Sequence, residues 1–167
     1  VLLAERIDAN GVRHKPTRIR TAGPFGKSRG MYLNRKVRRV EFSDLQPGDA
    51  IHIRYRVDEV GSRNMFGDYF GSVVHLQGNI PTKRRVQVYE MPNGRTLYHG
   101  EQEPQVARRG DKTSYRWEWR DLPPYVREPR MPGYTEVGRF LSVSTYRGWD
   151  EMAAWYARLI RDQFELE

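Results

Sequence analysis

The sequence predicts an all-β protein, mainly an antiparallel β-sandwich, ending in one C-terminal α-helix. Three observations carry that expectation. The stretch Ala50–Val57 alternates strictly, with Ile51, Ile53, Tyr55 and Val57 on one face and His52, Arg54, Arg56 and Asp58 on the other; a side-chain period of two belongs to a strand. Short runs of this kind recur along the chain, separated by turn residues. From Trp149 the spacing changes, and Trp149, Met152, Ala153, Tyr156, Leu159 and Ile160 fall on one helical stripe.

Taken in order, Val1–Ala9 alternates weakly and leads to Asn10-Gly11, a two-residue hairpin signal. Val12–Arg20 is basic, and Pro16 suits it to a sheet edge. Thr21–Gly30 reads as a loop, and Met31–Phe42 contains a strand in which Val40 and Phe42 alternate with Arg39 and Glu41. That strand is expected to pair with Ala50–Val57 across the Pro47-Gly48 turn, with Ala50–Val57 the strand on which its neighbours assemble. Gly67 and Gly71 around Tyr69-Phe70 suggest a bent or bulged strand entering Val73–Leu76. Lys83–Met91 alternates, and Pro92-Asn93-Gly94 predicts a hairpin to Arg95–His99. Tyr115, Trp117 and Trp119 share one face of a further strand, opposite Arg116, Glu118 and Arg120. Leu122–Pro132 holds four prolines and reads as an extended connector. Phe140–Ser144 is the last strand. Asp150 and Glu151 open the helix, where the helix dipole favours negative charge, and Gly148 at the N-cap gives it a weak start. Residues 1–144 are thus expected to form one sandwich domain. Residues 145–167 are expected to form a helix that packs on it or leads into a downstream domain.

At 167 residues the chain suits one domain with a sizeable, aromatic-rich core. The net charge is +8, and Arg outnumbers Lys 24 to 5. Such a surface favours acidic partners. The doublets Arg38-Arg39, Arg84-Arg85 and Arg108-Arg109 put one guanidinium on each face of a strand, however, so no concentrated stripe forms, and a basic nucleic-acid-binding domain is kept as an alternative rather than as the expected function. There is no cysteine, which excludes a disulfide, a thiolate metal site and a cysteine nucleophile within the chain. No apolar run reaches the roughly 18 residues of a membrane span.

The chemistry-bearing residues form no catalytic pattern. His14, His52, His75 and His99 show no metal-ligand spacing, the carboxylates Glu101, Glu103 and Asp121 are scattered, and the glycines match no nucleotide-binding fingerprint. No cofactor, no metal and no catalytic residue is therefore assigned, and the chain is expected not to be an enzyme. Tyr115, Trp117 and Trp119 admit two readings: one wall of the core, or a platform on which a glycan or peptide stacks. The stripe Trp149, Met152, Trp155 and Tyr156 is either core or a domain junction.

Several segments together resemble a known family. They are Phe42-Ser-Asp-Leu45-Gln-Pro-Gly-Asp49 with Tyr55, Asp68-Tyr-Phe-Gly71, Glu128-Pro129-Arg-Met-Pro132, and Ser144-Thr145 followed by Trp149 and Trp155-Tyr156. In this order the chain resembles a bacterial domain of unknown function that sits directly upstream of transglutaminase-like domains. The resemblance implies an accessory β-sandwich that scaffolds, or presents substrate to, the downstream domain, which holds the catalytic machinery. It also implies work outside the cytoplasm.

Overall fold

The computed structural model describes residues 1–22, 27–28, 31–32, 36–58, 69–100 and 102–161. The fold class is the expected one: antiparallel β throughout, with a helix at the C-terminal end. The chain forms two compact units, Val1–Ser62 and Arg63–Glu167.

In the first unit, β1 (Leu3–Ile7) is the middle strand of a three-stranded sheet, flanked by β2 (Arg13–His14) and β7 (Ala50–Arg54). A hairpin forms here, but with a three-residue loop rather than a two-residue one: Gly11 N–H donates to the Asp8 carbonyl at 2.9 Å across Ala9-Asn10, Asp8 N–H donates to the Val12 carbonyl at 3.0 Å, and Gly11 follows the turn at φ +82°. Asp8 builds its turn: one carboxylate oxygen accepts the N–H groups of Asn10 and Val12, both at 2.9 Å. Its other oxygen lies 2.9 Å from His14 Nε2. That contact, then the Val12 N–H, holds the Asp8 carboxyl below its ordinary pKa. β3 (Arg18–Ala22) pairs with β6 (Val37–Glu41), and β4 (Lys27–Ser28) pairs with β5 (Met31–Tyr32).

Two expectations about this unit are corrected. First, β6 does not pair with β7. Residues 42–49 are too many for a tight hairpin, and each end of the segment is tied elsewhere. Ser43 N–H donates to Thr17 Oγ1 at 2.9 Å, holding the end of β6 beside β3. Arg6 reaches from β1 to the Asp44 carbonyl at 2.7 Å and to Asp49 at 2.9 Å, so the turn delivers β7 to β1 instead. Second, among the described residues β7 is an edge strand, paired with β1 from Leu3↔Arg54 to Ile7↔Ala50. The alternation is real, but Ile51 and Ile53 remain about half exposed, and Tyr55 and Val57 lie beyond the strand's end. The buried member of this sheet is Glu5, whose carboxylate meets Arg13 and, at 2.9 Å, His52 Nδ1.

The second unit is a sandwich. One sheet runs β10 (Tyr98–His99), β13 (Phe140–Ser144), β8 (Gly71–His75), and the other β11 (Gln105–Arg109), β12 (Lys112–Leu122), β9 (Thr82–Pro92). The core cluster draws on both: Leu141 and Val143 from β13, Met91 from β9, Trp117 and Leu122 from β12, with Leu76 and Leu97 from the connections. A third correction falls here. The Pro92–Gly94 turn forms, with Gly94 at φ +83°, but it closes no hairpin, because β10 pairs with β13. Asn93 is held by the neighbouring β11–β12 hairpin, its N–H donating to the Asp111 carbonyl and its Nδ2 to the Gly110 carbonyl, both at 2.8 Å. The chain leaves the sheet beyond it and crosses to the other layer. Strand β11 itself carries too little alternating apolar character to be read from sequence.

Residues 123–128 connect without strand or helix, as expected, but a turn follows at Pro129-Arg130, with the Met131 N–H donating to the Glu128 carbonyl at 3.3 Å and Arg130 at φ +64°, before the short helix α1 (Tyr134–Val137). The final helix α2 spans Trp149–Ile160. Gly148 gives it no side-chain cap, but the Glu151 carboxylate reaches back to the Arg147 N–H at 3.0 Å. No helix among the described residues is long and apolar enough to cross a membrane.

Candidate functional site

The three aromatics of β12 are held in different ways. Trp117 is 1% exposed, and its ring meets Tyr89 and His99 edge-on at 6.1 and 5.7 Å. Its Nε1–H donates to the Gln102 carbonyl at 2.8 Å. A ring with no solvent-facing side cannot stack on a ligand, so Trp117 is core and the platform reading does not hold for it. Tyr115 lies parallel to Trp117 at 6.5 Å and is partly buried against the same cluster. Trp119 is also partly buried, but it differs in lining an open cleft.

That cleft has a volume of about 510 Å³. Leu76, Leu141 and Trp119 line it on the side of the core, while Phe140, Ser142 and Gly100 line it along β13 and the end of β10. Arg139 and Gln102 supply its charged and amide groups. Gln102 sets its shape. The carbonyl accepts from Trp117, and the side-chain oxygen accepts from Trp119 Nε1–H, so two indoles of one strand hold the residue. Arg139 is exposed, and its guanidinium has no acidic partner among the described residues.

The wall beside Arg139 is rigid. The Tyr134 hydroxyl accepts from the Gln77 N–H at 2.9 Å and donates to the Arg139 carbonyl at 2.8 Å. Its ring stacks on His75 at 4.1 Å. Gly138, at the end of α1, is required there because a β-carbon would come within 2.5 Å of the Tyr134 ring.

The outer face of the same strand carries a second polar cluster. Glu118 accepts from Arg84 at 3.1 and 3.2 Å, from Arg116, and pairs with Arg120 at 2.6 Å. These guanidiniums, Arg84 first, lower its pKa from 4.5 to about 2. Three arginines are thereby committed to an internal carboxylate. Arg85, next along β9, turns the other way and donates to the Leu76 carbonyl at 3.2 Å, so this doublet does split across the two faces.

Helix α2 buries none of its residues. Trp149 is 82% exposed and Tyr156 55%, while Met152 and Trp155 are half-buried. The stripe is therefore not core within these residues. The histidines are dispersed, and the described residues contain no group of three or more His, Cys, Asp or Glu able to hold a metal.

Fold and site together define an antiparallel β-sandwich protein with an open, partly apolar cleft and, among the described residues, no group of three or more His, Cys, Asp or Glu able to hold a metal. Residues 1–126 match DUF3857, the Domain of Unknown Function with solved-structure structure, and the chain belongs to that family. No curated protein matches it. Its fold is similar to that of a Parabacteroides distasonis protein described as a "putative protease", with a TM-score of 0.64 and 17% identity. The match covers 86% of this chain and 29% of that one. At this identity the likeness is one of fold.

Proposed function

We propose that this chain is a non-catalytic accessory β-sandwich module of a larger transglutaminase-like protein, one that scaffolds the downstream domain or presents substrate to it. The observation that carries this reading is the fold match: most of this chain corresponds to less than a third of a longer protein described as a protease. The bond-making groups then belong to the remainder, which is consistent with a chain that has no cysteine. The exposed stripe of α2 supports the same reading. Trp149 and Tyr156 are large apolar surfaces left in water at the end of the chain nearest such a domain, and Met152 and Trp155 continue them. By resemblance, the module works outside the cytoplasm.

The test has two arms. This chain alone, given casein and a fluorescent amine donor, should neither cleave the casein nor incorporate the amine; clear turnover in either assay refutes the reading. In the protein joined to its downstream sequence, Trp149→Ala with Tyr156→Ala should loosen the junction and expose it to limited proteolysis. An unchanged cleavage pattern would remove α2 from the junction.

A further inference from the structure

The edge of β13 beside the cleft is incomplete. In an antiparallel ladder, successive residues direct their main-chain groups alternately to one neighbour and the other. The Leu76 N–H donates to the Arg139 carbonyl at 2.8 Å, and the Thr145 N–H to the Phe70 carbonyl at 2.8 Å. Both bonds lie on the β8 side, so Arg139, Leu141, Val143 and Thr145 face β8. Phe140, Ser142 and Ser144 must then face β10. The Gly100 N–H donates to the Ser142 carbonyl at 3.2 Å, which fits that alternation. One step further, Phe140 would pair with Gln102, but Gln102 is held by the two indoles. No described residue bonds the Phe140 N–H or carbonyl on this side. Among the described residues the cleft therefore opens on one unpaired donor and one unpaired acceptor, spaced as a strand requires.

We infer that this cleft binds an extended peptide segment, which adds to β13 opposite Phe140 and places an acidic side chain on Arg139. Main-chain pairing with Phe140 supplies the attachment. Because a passing strand uses both of that residue's polar groups, the carboxylate reaching Arg139 comes from a side chain. Burial alternates along β13, with Leu141 and Val143 inward and Phe140 outward. The peptide residue opposite Phe140 thus faces outward, and its neighbours face Arg139, Trp119 and Leu76. The guanidinium, which has no acidic partner among the described residues, selects an acid among them, and the indole edge and leucine select an apolar companion. The cleft's volume is within the range of small-ligand sites. This assignment is independent of the accessory reading, since binding is measured on this chain alone.

The probe is the pentapeptide Ac-Ser-Val-Ser-Glu-Ser-amide, whose central serine lies opposite Phe140 with the valine and glutamate on the inward face, titrated into the labelled chain and followed by the backbone amide resonances. Saturable shifts are expected at Phe140 and Ser142, with slowed hydrogen exchange of the Phe140 amide. The matching peptide with Gln in place of Glu should bind about tenfold more weakly, as should the Glu peptide to Arg139→Gln. Arg139 is exposed, so its replacement leaves the fold intact. The inference is overturned by no saturable shift at millimolar peptide, by equal affinity for the two peptides, or by unchanged affinity in Arg139→Gln. It is also overturned if a chitin oligosaccharide saturates the same resonances and the peptide does not.

Discussion

Replacing Trp117 by alanine tests where the second unit's stability resides. The side chain is 1% exposed and touches both layers' shared core. An indole of this kind buries about 150–250 Å², worth roughly 4–6 kcal/mol at 25 cal/mol/Å² as an upper bound. Truncating a buried tryptophan costs about 3–5 kcal/mol once partial collapse of the site is included. Loss of the bond to the Gln102 carbonyl adds little, because Gln102 is exposed and water replaces the indole donor. The expected loss is therefore about 4 kcal/mol. Trp117→Phe, which keeps a ring but drops the donor, should cost about 1–3 kcal/mol. Urea unfolding followed by far-ultraviolet circular dichroism gives the free energy, and amide exchange of β9, β12 and β13 assigns it to this unit. A loss below about 1 kcal/mol in Trp117→Ala would refute the placement of this ring at the centre of the core.

Glu118 ties acid sensitivity to one carboxylate. Its pKa falls from 4.5 to about 2 on folding, so its stabilising contribution is complete above pH 4.5 and disappears as the pH drops toward 2. Glu118→Gln should lower the melting temperature at pH 7, and its difference from the parent should vanish across that window; a pH-independent difference would show that the three arginines do not act through its charge. Gly138→Ala should destabilise by about 1–3 kcal/mol, because the new methyl meets a Tyr134 ring that His75 and two hydrogen bonds keep in place; chemical denaturation measures it, and a neutral result would mean that ring can move. Tyr89→Phe should be neutral or stabilising, since the Tyr89 hydroxyl is buried without a hydrogen-bond partner among the described residues; a loss above about 1 kcal/mol would reveal a partner for it.

Strand positions were legible because alternation is a local property. Lys83–Met91, Phe140–Ser144 and the helix from Trp149 all appear where the residue pattern puts them. Pairing was less legible because it depends on long-range side-chain bonds. The Pro47-Gly48 turn exists, yet Arg6, far away in sequence, decides which strand it delivers β7 to. Asn93 similarly ends its turn on Asp111 and Gly110 rather than on the strand that follows. Local turn chemistry fixes that the chain reverses; it leaves open which partner it meets.

The same distinction accounts for the site. Tyr115, Trp117 and Trp119 share a face, as their spacing requires, but spacing alone treats the three rings as equivalent. They diverge in their surroundings: Trp117 is enclosed by the core cluster, while Trp119 packs against that cluster and also lines the cleft. Both indole N–H groups need acceptors, and Gln102 satisfies both. In doing so it gives up the place beside Phe140 that an ordinary edge strand would fill. An aromatic row that looks like a ligand platform in sequence thus acts indirectly: by holding Gln102, Trp117 and Trp119 keep a stretch of β13 unpaired and expose Arg139 next to it. Substitutions in the row should therefore alter the cleft through Gln102. Trp119→Phe, which removes one donor while preserving the ring, should free the Gln102 side chain and broaden the Phe140 amide resonance without unfolding the sheet. An unaltered Phe140 resonance in that variant would show that the opening does not depend on this clamp.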